Sequence, residues 1–188
     1  MIWKKKKPAS ILESSVSELA CHLLEGGLNE QFRILAAKKA EGIELSNCQE
    51  LRSMFHNPPK EAVLYSAEKH GLGGWLSACQ FSIFELVYNI GENALPFVQE
   101  IAWGEYDWTQ GNAIELLIRF AAGGILRDYI ISEIKENYPN VRYEAQLYAI
   151  QPLLPRLATD PELWSVFDEL LVIEDFKDCY DELTEDNA

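Results

Sequence analysis

Apolar residues recur at three- and four-residue intervals along most of the chain, and the segments they mark are bounded by residues that start and stop helices. A first helix is predicted from about Ser10 to Glu25, with Ile11, Leu12, Val16, Leu19, Ala20, Leu23 and Leu24 on one face and Gly26-Gly27 as its stop. Asn29 is placed to cap a second helix through Phe32, Leu35, Ala36 and Ala40 to Gly42. Ser46 and Gln49 have the spacing of a capping box and predict a short helix to about Phe55. Asn57-Pro58 predicts another to about His70, with the proline where its missing N–H is harmless, and Gly71, Gly73 and Gly74 then form a flexible joint.

From Trp75 the pattern lengthens. It predicts helices over Trp75 to Ile90, Glu92 to Trp103, Asp107 to Ala122, Ile125 to Tyr138 and Asn140 to Leu157, and Asp160-Pro161 caps a last one through Leu163, Val166, Phe167, Leu170 and Leu171. Strand signals are absent. The fold class read from this is all-α, with antiparallel helix pairs stacked in a single domain over residues 1–188, a basic arm at about 1–9 and an acidic tail at about 174–188.

The stronger segments repeat. Superimposing Ala113 on Ala145, an offset of 32 residues, aligns Asp107 to Ile118 with Pro139 to Ile150. The second copy carries Val141-Arg142, Ala145 and Ala149, which resembles the V-R-x-x-A-x-x-A core of HEAT-like repeats, and Ala94-Leu95-Pro96 resembles the segment common in the neighbouring helix of such repeats. Gln110 stands where the second copy has Arg142, and Pro152 and Pro155 interrupt that copy. The resemblance therefore implies a short, irregular α-solenoid, whose stacked pairs would offer a concave surface to a protein partner.

Composition narrows the partner. The 188 residues are 48% apolar, enough for a continuous core, and carry 16 Lys+Arg against 30 Asp+Glu, a net charge of −14. Such a charge repels nucleic acid and anionic lipid and draws in basic proteins. Met1 to Pro8 begins like a secretory signal, but Glu13, Glu18, His22 and Glu25 occupy the place of its apolar region, and no stretch has the length of a membrane span. The expected compartment is the cytoplasm. Cys21, Cys48, Cys79 and Cys179 form no C-x-x-C pair and are expected as free thiols.

Signatures of catalysis are missing. His22, His56 and His70 lack metal-ligand spacing, Gly71-Leu-Gly73-Gly74 follows no strand, and no nucleophile elbow is present, so neither an enzyme activity, a metal nor a cofactor is expected. Two clusters remain as partner-binding candidates. The first, Trp103, Glu105, Tyr106, Asp107 and Trp108, gathers aromatics and carboxylates in one helix-to-helix link, the composition of a binding hot spot; Asp107 capping the next helix over packed Trp103 and Trp108 is the competing structural role. The second is the acidic C-terminal segment, where Asp175, Asp178, Asp181 and Glu182 surround Phe176 and Tyr180; a solvated tail and a mimic of phosphate spacing are both compatible with it.

An acidic, HEAT-like chain of this size, with the stretch from Phe84-Glu-Leu-Val-Tyr-Asn-Ile-Gly-Glu92 to Arg119, resembles immunity proteins of contact-dependent and other polymorphic toxin systems. The resemblance implies neutralisation of one basic toxin, such as a nuclease, by covering its active or substrate-binding surface. A structural adaptor would use the same surfaces. HEAT-like alkylpurine DNA glycosylases are the enzymatic alternative, with Asp107 between Trp103 and Trp108 as the imitation of their site, but residues 61–188 hold 7 basic against 23 acidic residues, the wrong sign for a DNA groove.

Overall fold

The structure, a computed structural model, describes residues 10–185; the basic arm at 1–9 and the last residues of the acidic segment, 186–188, lie outside them. Every regular element among the described residues is helical, as the periodicity predicts. The chain divides at Asn89/Ile90 into two compact units.

The first unit opens with α1 (Ile11–Gly26), held by a complete capping box: the Glu13 N–H donates to Ser10 Oγ and the Ser10 N–H to Glu13 Oε2. Asn29 caps α2 (Glu30–Ala40), which packs on α1 around buried Val16, Leu19, Ala20, Phe32 and Ala36. Next comes a 3-10 turn at Leu45–Asn47 leading into α3 (Cys48–Ser53). The expected Ser46 cap does not form; the Glu44 N–H donates to Asn47 Oδ1 instead, so the helix starts after Asn47.

The helix expected from Asn57 to His70 is reduced to α4 (Ala67–His70). Two consecutive prolines explain the loss, because Pro59 disfavours the helical region for Pro58 and removes a second donor. The extended segment is secured by side chains, with the Trp75 indole N–H donating to the Pro59 carbonyl at 2.8 Å and the Tyr65 hydroxyl to the Gly71 carbonyl at 2.6 Å. Helix α5 (Gly74–Ile90) follows; Phe84 stacks on Phe55 at 5.0 Å and Gln80 Nε2 donates to the Phe55 carbonyl.

The second unit is organised around one helix. After a 3-10 turn at Gly91–Ala94 come α6 (Leu95–Ala102), α7 (Gln110–Ala122), α8 (Arg127–Asn137), α9 (Tyr143–Ile150), α10 (Leu154–Leu157), α11 (Pro161–Leu170) and α12 (Glu174–Glu185). Helix α7 touches α6, α8, α9 and α11, and all of its residues from Gln110 to Ala121 are buried. This radial packing includes, but is not limited to, the side-by-side placement of α7 and α9, the two segments that superimpose in sequence. Between them Gly111 has no room for a side chain: a Cβ there would lie 2.6 Å from Tyr148 Cβ and 2.8 Å from the Ala145 carbonyl oxygen. The buried Glu115 and Arg119 pair at 3.6 Å along α7.

Several helices are shorter than their patterns suggest. Pro152 and Pro155 divide the predicted Asn140-to-Leu157 helix into α9, a 3-10 turn and α10, and α8 begins only after Leu126, which takes a left-handed φ of 40°. Asp160 caps α11 as expected, its Oδ1 accepting the Leu163 N–H.

The largest departure is at the acidic end, where residues predicted as a tail form α12. Its Phe176 and Cys179 are buried; Phe176 lies 5.2 Å from both Tyr138 and Phe167, and α12 packs on α9. Beneath it, the Tyr138 hydroxyl donates to the Gln146 carbonyl while Gln146 Nε2 donates to the Tyr138 carbonyl, each at 3.0 Å. The four cysteines are free thiols, and burial pushes Cys79 up to about 12 and Cys179 up to about 11.

Three outcomes follow from this packing. Gly111→Ala is expected to cost about 1–3 kcal/mol in urea unfolding, because α9 backbone must move, whereas Gly73→Ala, with open space around it, stays within about 0.5 kcal/mol. Phe176→Ala should strip amide-exchange protection from residues 174–185 and cost about 3–5 kcal/mol; protection that persists would show that Phe176 does not hold α12. Both thiols are harder to ionise when folded, so their contribution is complete below the ordinary value of 9.0 and is lost as pH rises from there towards 12. Thermal melts should fall above pH 9, and by less in a Cys79→Ala, Cys179→Ala double variant.

Candidate functional site

The link between α6 and α7 is short and tightly tied. Gly104 passes so close to the Glu100 carbonyl oxygen that a Cβ would lie 2.5 Å from it. Asp107 Oδ1 accepts the Thr109 N–H at 2.9 Å and the Thr109 hydroxyl at 3.1 Å, so Asp107 does stabilise the entry to α7, as a turn residue three positions ahead of the helix. Gln110 does not complete a capping pattern with it. Its Nε2 reaches across to the Ala102 and Gly104 carbonyls at 3.0 and 3.3 Å, fastening the end of α6 to the start of α7.

On this base the aromatics separate. Trp103 is half-buried, and its indole N–H, like Gln110 Oε1, is a buried polar atom with no hydrogen-bond partner in the protein. Trp108 does not pack under the link; it is 64% exposed. Glu105 is exposed as well, and Tyr106 and Asp107 are half-buried. The Tyr106 and Trp108 ring centres lie 6.2 Å apart with the rings tilted at 57°, and the Arg142 guanidinium carbon lies 4.4 Å above the Tyr106 ring centre.

Arg142 connects the two predicted clusters. It is the residue before α9, and the next residue, Tyr143, hydrogen-bonds through its hydroxyl to Glu182 on α12. That bond to Glu182 is the main reason the Tyr143 phenol is pushed up to about 12. The aromatic link and the acidic helix thus both attach to one helix start. Asp175 and Asp178 are exposed on α12, while Asp181 is half-buried and pairs with Lys177 at 2.5 Å, an exposed ion pair of little stability value. Sequence reading missed Arg142 and Tyr143 as site residues, because their contacts span 36 and 39 positions and leave no local trace.

Charge is divided sharply along the chain. Residues 1–89 hold ten basic and ten acidic residues, whereas 90–188 hold six basic and twenty acidic, so the entire net charge of −14 belongs to the second unit. Four of its six basic residues are spent on internal pairs: Arg119 with Glu115, Arg127 with Glu169, Arg156 with Asp160 and Lys177 with Asp181. A large surplus of carboxylate is left.

Elsewhere the chemistry is sparse. An open groove of about 590 Å³ in the first unit is lined by Glu13, Glu18, Cys21 and Lys60 among others, but Glu13 is committed to the α1 cap and Glu18 pairs with Lys39 at 2.5 Å. No group of His, Cys, Asp or Glu suited to a metal occurs among the described residues, and none of their helices is long and apolar enough to cross a membrane. Comparison with protein-family models, curated proteins and solved structures finds no match.

If Arg142 holds Tyr106 in place, Arg142→Ala should broaden the Tyr106 ring resonances and shift those of Trp108 while costing no more than about 1 kcal/mol. An unchanged aromatic spectrum would show that the link is fixed without it.

Proposed function

We propose that this chain is a protein-binding inhibitor, an immunity protein that covers the active or substrate-binding surface of a basic toxin domain in the cytoplasm. The observation that carries the reading is the confinement of all net charge to the unit that also displays Trp108 on a fixed link. Long-range attraction from that unit speeds encounter with a cationic protein, and an exposed indole on a tied backbone supplies short-range contact at small entropic cost. The HEAT-like resemblance of the α6–α9 region supports a scaffold whose work is display.

The test starts with the protein that co-purifies from the native host. Once both are pure, the expected partner is basic, loses its activity on equimolar mixing, and associates more slowly as salt is raised. Trp108→Ala should weaken the complex by about 2 kcal/mol or more without lowering the melting temperature. A partner whose activity survives stoichiometric binding would overturn inhibition and make the chain an adaptor.

A further inference from the structure

We infer that Trp108 is a stacking platform for an arginine side chain of the partner, a refinement that rests on reading the second unit as a surface for a basic protein. The chain itself shows the chemistry: Arg142 lies over Tyr106 at 4.4 Å, and Tyr106 in turn leans against Trp108. One ring of the pair already carries a guanidinium. The other is a tryptophan, the aromatic with the strongest cation-attracting face, and most of its surface is open to solvent.

Three features fit this occupant. The surrounding unit carries the whole net charge of −14 and concentrates cations near the ring. The backbone on both sides of Trp108 is fixed, by Thr109 bonding to Asp107 and by Gln110 bonding to Ala102 and Gly104, so the platform loses little freedom when it is used. Exposed Glu105 lies within the same link as a carboxylate for the edge of a stacked guanidinium. Arginine fits better than lysine, since its planar, weakly hydrated head can stack and hydrogen-bond at once.

Two short peptides, identical except that all arginines of one are lysines in the other, provide the probe. With isotope-labelled full-length protein, the indole N–H resonance missing from Trp108→Phe identifies Trp108. The arginine peptide is expected to shift that resonance and to bind about threefold tighter than the lysine peptide. Trp108→Phe should keep most of this preference and Trp108→Leu should lose it. Equal affinities, or a preference that survives in Trp108→Leu, would overturn the platform. The outcomes separate from those of the inhibition test: a partner still inhibited alongside equal peptide affinities removes the platform and leaves the inhibitor reading standing.

Discussion

Helix α7 has no solvent face, and at Gly111 it meets α9 without space for a single methyl group. That contact fixes the neighbouring backbone. With α7 locked against α9, and α6 fastened to α7 through Gln110, the five residues between Trp103 and Thr109 have few conformations left, and Gly104 and the Asp107 turn supply the one that closes. The same contact delivers the start of α9 to the link, which is how Arg142 comes to lie over Tyr106 and Tyr143 to reach Glu182. The display of Trp108 is therefore a consequence of core packing several residues away.

Where a helix begins proved legible when its cap is local. Ser10 with Glu13, Asn29 and Asp160 all act as their positions suggest, because the hydrogen bond that defines each cap spans three residues. Ser46 failed because Glu44 and Asn47 offer a competing local pair. Residues 57–66 failed for a different reason: two prolines weaken the helix, and the alternative is held by Trp75, sixteen residues from Pro59. Long-range partners of that kind are invisible to periodicity.

The acidic end is the instructive case, because its signal was present but outweighed. Phe176, Cys179, Tyr180 and Leu183 follow helical spacing, and the two that are fully buried lie on that stripe. Composition alone favoured a solvated tail, since six of the twelve residues from Glu174 to Glu185 are acidic. Burial of a phenylalanine among Tyr138 and Phe167 outweighs repulsion between surface carboxylates, which is weaker per pair by several-fold. The candidate link was readable as a cluster, but the division between half-buried Trp103 and exposed Trp108 was not, because it depends on where α9 lies.

What α12 retains in spite of its docking runs against its own stability. Glu174 and Asp175 suit the positive end of the helix dipole, but Asp181, Glu182 and Glu185 crowd the negative end with no basic residue in the last turn. Glu174 with Asp178, Asp178 with Glu182, and Asp181 with Glu185 are like charges one turn apart, each costing about 0.2–0.5 kcal/mol, and Lys177 relieves only Asp181 directly. Folding alone would be served better by lysines at the C-terminal end. A cation-bearing partner reverses the sign of these terms, turning self-repulsion in the free helix into attraction across an interface. For the basic partner proposed above, neutralising α12 would release this energy on binding without any new apolar contact.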